Sequence, residues 1–199
     1  MSTSEKPYHH GDLRRALVDA GLELLETREA DDLSLREVAR AVGVSATAVY
    51  RHFPDKNALL DALAAEGLGR LAQVQHAAAE AAGGGKAGFI ATGIAYVQFA
   101  LANPALFRLT FSATAARNIL DAPDHVPDAM AFLRANAEAA AADYGIAPKT
   151  VAVHAWSVAH GLATLMLERQ IEPDEALIAQ VIGLAAPLDK PPAPAKPKS

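Results

Sequence analysis

Six side chains that can donate hydrogen bonds or carry positive charge lie between residues 45 and 56. Hydroxyl, imidazole, guanidinium and ammonium groups are those that contact the phosphates and base edges of nucleic acids. Ala46 and Ala48 stand among them, and small side chains let a helix approach another surface closely. Val49 and Phe53 lie four residues apart, and we expect them to face inward. The polar residues that could bind a polyanion are Ser45, Thr47, Tyr50, Arg51, His52 and Lys56.

Two capped helices would position this segment. Ser34 is placed to cap the helix "LREVARAV", and Glu37 three residues later completes a capping box. Gly43 stands where a left-handed residue ends a helix. Ser45 caps the next helix, and Pro54 ends it. Two short helices joined by a glycine turn form the pattern of a helix-turn-helix, whose second helix enters the major groove of DNA.

Helical periodicity continues along the whole chain, and no segment alternates convincingly as a strand does. We therefore predict an all-α fold. A helix-turn-helix domain is predicted over residues 8–56, and a long alanine-rich helix over 55–82 links it to the rest. The Gly-rich segment 83–86 is predicted to be a hinge. Residues 86–187 are predicted to form a second helical domain, and the Pro- and Lys-rich residues 188–199 a disordered tail.

Composition limits the class of protein. Half of the 199 residues are hydrophobic, which is typical of a folded chain, and the absence of cysteine excludes a disulfide framework and thiolate metal sites. The net charge of −5 argues against indiscriminate coating of nucleic acid, although residues 34–56 carry a net charge of +2. We find no signal peptide and no apolar stretch near the ~20 residues of a membrane span. We therefore expect a cytoplasmic protein that is not bound to a membrane.

Other functional classes find little support in the motifs. Gly83 to Lys86 lacks the preceding strand, the glycine spacing and the hydroxyl residue of a phosphate-binding loop. The sequences typical of serine hydrolases, zinc proteases and dinucleotide-binding enzymes are missing. His9 and His10 would diverge on a helix and have no third ligand nearby. We expect no enzyme, metal or cofactor; a helical adaptor that binds only protein would not need the capped helix pair.

The segment "LSLREVARAVGVSATAVYRHFPDKNALL" strongly resembles the DNA-binding segment of the TetR (tetracycline-repressor) family of bacterial transcription regulators. The stretch "YHHGDLRRALVDAGLELL" before it resembles the opening of one large TetR subgroup. "AWSVAHGLATLMLE" resembles the C-terminal signature of that subgroup around Trp156, His160 and Gly161. The resemblance implies a three-helix module that reads operator DNA. It also implies a larger helical domain that binds a small molecule and forms a homodimer.

The resemblance also implies roles for single residues. Ser34 and His52 would contact the phosphate backbone, as would Lys56 at the start of the fourth helix. Thr47 and Tyr50 would approach bases or neighbouring phosphates. We add Arg51 on physical grounds, as a long exposed cation. Tyr50 as a half-buried helix residue and His52 as a local packing residue remain alternatives. The operator would be pseudo-palindromic, and repression is the expected direction of regulation, although the sequence does not fix its sign.

The second half of the chain offers candidates for an effector pocket and for a dimer interface. Large side chains there could line an apolar cavity, although a plain helical core explains most of them equally. The candidate pocket residues are Tyr96, Phe99, Phe107, Phe111, Trp156 and His160. The predicted dimer interface consists of residues 149–169 and 174–187. Its candidate contacts are Val153, Leu162, Leu165, Leu177 and Val181.

Overall fold

The computed structural model describes residues 10–112 and 128–185. Within these ranges the chain forms helices joined by turns and contains no strand, which confirms the predicted all-α class. The predicted tail at 188–199 lies outside the described residues. The elements are α1 (His10–Leu25), a 3-10 helix (Ala30–Asp32), α2 (Leu35–Val42), α3 (Ala46–Tyr50), α4 (Lys56–Ala81), α5 (Gly85–Ala102), α6 (Pro104–Thr110), α7 (Asp128–Tyr144), α8 (Pro148–Leu167) and α9 (Glu175–Ala185).

Helix starts follow local sequence signals. Pro104 and Pro148 occupy the first turns of α6 and α8, where a missing N–H group costs no helical hydrogen bond. The carboxylate of Asp55 accepts a hydrogen bond from the N–H group of Ala58 at 2.8 Å, so α4 begins where the sequence predicts. Asp174 caps α9 in the same way. These caps satisfy N–H groups that the first turn of a helix leaves without partners.

The chain divides into two compact units, and the division falls within α4 between Gly67 and Leu68. The N-terminal unit contains α1, α2, α3, the first part of α4, and α6. The C-terminal unit contains the rest of α4 with α5, α7, α8 and α9. Gly83 and Gly84, in the segment predicted to be a hinge between domains, instead form a tight turn inside the C-terminal unit, and Gly85 begins α5. Their φ angles of +79°, +72° and +57° favour glycine, which has no β-carbon.

The core of the N-terminal unit joins α1, α2 and α3 to α4. Leu17, Val38, Val49 and Leu63 are all fully buried there. A β-carbon at Gly21 of α1 would lie 2.9 Å from a methyl carbon of Leu63, so glycine permits the close contact between α1 and α4. α1 also packs against α2, and α2 against α3, so the helix-turn-helix is held against α1.

In the C-terminal unit, α8 packs against α5, α7 and α9, and α5 also packs against α9. Val97, Ala163, Met166 and Ile178 are among its most deeply buried side chains. A β-carbon at Gly93 of α5 would lie only 2.6 Å from the side chain of Ile182 in α9. Glycine at that position therefore allows α5 and α9 to approach each other.

By length and composition alone, α8 could cross a membrane, because it has 20 residues and contains an 18-residue window with a mean hydropathy of 1.3. The same holds for α5 and α6 if the two count as one broken span. This differs from the sequence prediction that no apolar stretch reaches such a length. α8 packs against three other helices of its unit, and Leu162, Ala163 and Met166 are among its buried residues.

Candidate nucleic-acid interface and ligand cavity

Ser34 and Glu37 form the predicted capping box at the start of α2. The Ser34 hydroxyl donates a hydrogen bond to Glu37 Oε2 at 2.8 Å and accepts one from the Glu37 N–H group at 3.3 Å. Arg28 Nη1 lies 2.7 Å from the other carboxylate oxygen. The Ser34 hydroxyl, and then Arg28, hold the pKa of Glu37 below its ordinary value. The Ser34 side chain therefore has a structural role in α2, and its phosphate contact stays a prediction.

The turn between α2 and α3 has the geometry of a helix-turn-helix. Gly43 adopts a left-handed conformation, with φ +76° and ψ +27°, and the N–H group of Val44 donates to the carbonyl of Ala39 at 2.9 Å. The Ser45 hydroxyl then accepts a hydrogen bond from the N–H group of Ala48 at 3.3 Å. Ser45 thus caps α3, as the sequence predicts, and fixes the direction in which α3 leaves the turn.

The side chains of α3 divide between core and solvent. Val49 is fully buried, and Phe53 just beyond the helix is 1% exposed. Thr47, Tyr50 and Arg51 are exposed, Tyr50 to 49%, and Ala46 and Ala48 are partly exposed between them. The exposed side of α3 therefore carries hydroxyl groups, a guanidinium and small residues. His52 is half-buried in the turn that follows.

Two further cations lie near the ends of this segment. Lys56 Nζ donates a hydrogen bond to the backbone carbonyl of Asp31 at 2.6 Å, which holds the ammonium at the start of α4. An ammonium has three donors, so this bond leaves others for a phosphate. The guanidinium of Arg14 lies 5.1 Å from the centre of the Phe53 ring, a cation–π distance. Sequence reasoning missed Arg14, because nothing in the local pattern of α1 places it beside Phe53.

A cavity of about 50 Å³ lies within the C-terminal unit, between α4, α5, α7, α8 and α9. Two of the predicted pocket residues, Tyr96 and Trp156, line it. The other lining residues were not among the six candidates, because their spacing does not differ from that of ordinary core positions. They are Gln75, Phe89, Ile90, Thr92, Gly93, Met130, Leu133, Ala155, Ala159 and Ile182.

A hydrogen-bonded group of three aromatic side chains stands at one wall of this cavity. Trp156 Nε1 donates to the hydroxyl of Tyr96 at 3.1 Å, and that hydroxyl lies 2.8 Å from His160 Nδ1. Burial raises the pKa of Tyr96 well above its ordinary value, and the bond from Trp156 opposes this only in part. Burial also lowers the pKa of His160. Both groups are therefore neutral at neutral pH, and the Tyr96 hydroxyl donates to Nδ1 when the imidazole carries its proton on Nε2.

Four of the six predicted pocket residues do not line the cavity. His160 contacts Tyr96 but does not line the cavity, and Phe99 is buried in α5 without lining it. Phe107 and Phe111 belong to α6 and its end, and hence to the N-terminal unit. Their ring centres are 4.9 Å apart, so they pack against each other.

The predicted dimer residues differ in their exposure. Val153 is 41% exposed and Leu165 is 38% exposed, while Leu177 and Val181 are partly exposed. Leu162 is only 6% exposed, because it faces the core of its own unit, and it is not available to a partner. Leu184 was not among the predicted contacts although it is 76% exposed.

No group of three His, Asp or Glu side chains that could hold a metal ion occurs in the part of the chain that the structure describes. His9 lies outside that part.

Comparison with known proteins yields matches over both units. Residues 17–63 match the bacterial regulatory proteins of the tetR family, and residues 89–183 match the tetracyclin repressor-like C-terminal domain. Over 57 residues the chain is 44% identical to the tetracycline repressor protein class D of Escherichia coli. That match covers 29% of this chain and 26% of the relative, so the chain spans about a quarter of the length of this curated relative.

Solved structures resemble most of the chain. A protein of unknown function from Rhodococcus sp. RHA1 is 35% identical, with a TM-score of 0.70 over 92% of this chain and 95% of that one. A TetR family protein from Vibrio parahaemolyticus shares the fold at 16% identity, with a TM-score of 0.62 over 87% of this chain and 96% of that one. The subgroup suggested by the segment around Trp156 stays a prediction. The chain belongs to the TetR family of bacterial transcriptional regulators, which bind DNA and are not enzymes.

Proposed function

We propose that this regulator is a homodimeric repressor that a small, mainly apolar molecule releases from its operator. The observation that carries the proposal is the cavity of the C-terminal unit, which has apolar walls and a few polar groups, among them Tyr96. Sites for small molecules have this composition. Repression is typical of the family. A cytoplasmic location goes with the proposal, since the operator of a bacterial regulator lies there.

The exposed side of α3 is the proposed DNA-reading surface. Thr47 and Tyr50 are proposed to lie in the major groove, where a threonine can bond to a base edge or contact a thymine methyl group. Arg51, His52 and Lys56 are proposed to contact phosphates on either side. Ser34 and Ser45 cap the two helices and are proposed to lie close to the backbone of the duplex.

The proposed dimer interface is an exposed face of α8 and α9. Val153, Ser157, Gly161 and Leu165 follow each other at four-residue intervals along α8, and a β-carbon at Gly161 would meet no atom within 4 Å. Small residues between apolar ones allow two helices to approach closely. Leu184 extends the apolar surface on α9. A two-fold dimer would bind a pseudo-palindromic operator with half-sites about 34–36 Å apart, or a multiple of this.

Release by a ligand can be tested with fluorescence. Operator affinity is measured by anisotropy on the DNA upstream of the chain's own gene, while small aromatic and lipophilic compounds are added. Trp156 is the only tryptophan and lines the cavity, so its emission reports occupancy. A compound that changes this emission should lower operator affinity roughly 5- to 150-fold, the ordinary range of allosteric coupling. If compounds that saturate the emission change leave operator affinity unaltered, the chain is not ligand-responsive through this cavity.

A further inference from the structure

The walls of the cavity carry no formal charge. Of the described residues that line it, none is Asp, Glu, Lys, Arg or His, and the ionisable Tyr96 is kept neutral by burial. A charged group that enters such a site loses its hydration and finds no partner of opposite charge, which costs several kcal/mol even after relaxation. The cavity therefore selects against carboxylates and ammonium groups.

Most polar groups of the lining already have defined hydrogen bonds. The Thr92 hydroxyl donates to the carbonyl of Phe89 at 2.7 Å, within its own helix. Trp156 donates to Tyr96, and the Tyr96 hydroxyl pairs with His160. These bonds fix the three side chains in the wall.

The carboxamide of Gln75 differs from these groups, because within the described ranges only its nitrogen has a defined hydrogen bond. Its Nε2 donates to the carbonyl of Thr92 at 3.3 Å, and this pairing places the nitrogen toward α5. No hydrogen bond from any residue that the structure describes reaches its Oε1 atom. Gln75 lines the cavity, and a carboxamide oxygen can only accept hydrogen bonds, so this oxygen is the candidate acceptor for an incoming molecule.

The size of the cavity adds a second constraint. A volume of about 50 Å³ is smaller than the ~150 Å³ cavity that accommodates benzene. The cavity is partly open to solvent, so a single ring would either displace wall side chains or project from the open side. Met130 of α7 has the most flexible apolar side chain of the wall. Gln75 belongs to α4, the helix that continues into the N-terminal unit.

We propose that the effector is a compact, uncharged molecule with a small apolar body and one hydrogen-bond donor, which binds the side-chain oxygen of Gln75. This inference rests on the proposed ligand-responsive function. It assigns the effector to the class of phenols and small alcohols, and it excludes fatty acids, other carboxylates and amines that are protonated at neutral pH.

The test uses matched compounds on the full chain. Binding of para-ethylphenol, para-ethylanisole and para-ethylbenzoate is measured by calorimetry and by Trp156 emission. The phenol should bind. The anisole lacks the donor and should bind roughly 2- to 10-fold more weakly, the net effect of one hydrogen bond. The benzoate carries a charge and should bind more than about tenfold more weakly.

Two variants of α4 test whether Gln75 causes the preference for the phenol over the anisole. Gln75→Leu should abolish the difference between the phenol and the anisole, because the acceptor is lost while an apolar wall remains. Gln73→Leu is the matched control, since Gln73 is exposed on the same helix and does not line the cavity. It should keep the preference of the original chain.

Several results would overturn the inference: no binding of the phenol, equal binding of the benzoate, or an unchanged preference in Gln75→Leu. The comparison of compounds on the original chain gives an answer even if a variant fails to fold. Operator affinity is measured on the same samples. If the predicted selectivity appears but operator affinity does not change, the assigned ligand class stands and the proposed ligand-responsive release is wrong.

Discussion

Lys56 and Thr47 differ in the kind of contact that each can make with DNA. Lys56 holds its ammonium at the start of α4 through the carbonyl of Asp31. A phosphate contact carries no sequence information, so Lys56→Ala should weaken binding to all DNA alike. It should also reduce the slope of log affinity against log salt concentration by about one unit. Thr47→Ala should instead change the preferred bases, at a cost of ~1–3 kcal/mol.

Anisotropy titrations on operator and random DNA at several salt concentrations separate these two effects. Lys86→Ala is the charge control, because Lys86 is exposed at the start of α5 in the C-terminal unit. It should leave the salt slope unchanged. Indistinguishable behaviour of Lys56→Ala and Thr47→Ala on both kinds of DNA would rule out this division of roles.

His160 makes stability depend on pH. Burial lowers its pKa below the ordinary value of 6.5, so the unfolded chain binds a proton more readily than the folded one. The free energy of unfolding should therefore fall as the pH drops from about 6.5 toward the lowered pKa, and rise again as the pH increases through that window. His160→Gln should lose this dependence, whereas His154→Gln, exposed on the same helix, should keep it. Urea denaturation at a series of pH values measures the difference, and equal pH profiles for His160→Gln and the original chain would contradict it.

Substitution of glycine by alanine should have opposite effects on stability at the end of α2 and inside α4. Gly43 ends α2 with φ +76°, whereas Gly69 lies inside α4, and a β-carbon at either position would meet nothing within 4 Å. The change in the free energy of unfolding on substitution by alanine therefore reflects the backbone conformation alone. Gly43→Ala should destabilise the chain by about 1–2 kcal/mol, and Gly69→Ala should stabilise it by about 0.5–1 kcal/mol. Denaturant titration measures both changes, and changes of the same sign would show that backbone conformation does not decide them.

The elements that sequence predicts well are those whose ends depend on near neighbours. Ser34 with Glu37, Ser45 and Asp55 each cap a helix through a bond to a residue three positions away. The end of α3 was predicted less well, because the helix stops at Tyr50 and not at Pro54. There the carbonyl of Val49 accepts hydrogen bonds from the N–H groups of both His52 and Phe53, at 2.9 Å each. That tightened turn accompanies the burial of Phe53 in the core, which depends on tertiary packing.

For the whole molecule, the proposed dimer rests on the exposed face of α8. Val153→Lys places a charge there and should produce monomers, because dimer formation would bury this charge without a partner. Val74→Lys is the matched control, since Val74 is 40% exposed on α4, close to the 41% of Val153. Analytical ultracentrifugation at micromolar concentration should find dimers for the original chain and for the control. A monomeric original chain, or a dimeric Val153→Lys variant, would contradict the proposed interface.

Tertiary packing also explains why the pocket was only partly predictable. Of the candidate pocket residues, Tyr96 and Trp156 line the cavity, whereas Phe107 and Phe111 belong with α6 to the N-terminal unit. There Thr110 of α6 lies directly against Gly67, a contact between residues far apart in sequence. Gln75 was missed because a polar residue in a long helix usually faces solvent. Contacts between residues far apart in sequence decide which helices enclose a cavity, and local sequence patterns do not predict these contacts.

The most direct test of sequence-specific DNA binding is the ratio of two affinities measured at physiological salt. The first is the affinity for the DNA upstream of the chain's own gene, and the second is the affinity for random DNA of equal length. If the exposed side of α3 reads base edges in a dimer, the ratio should be about 1,000 or more, as for other specific regulators. Equal affinities would contradict the account, because they would mean that Thr47 and Tyr50 do not read sequence and that only charge holds the protein on DNA.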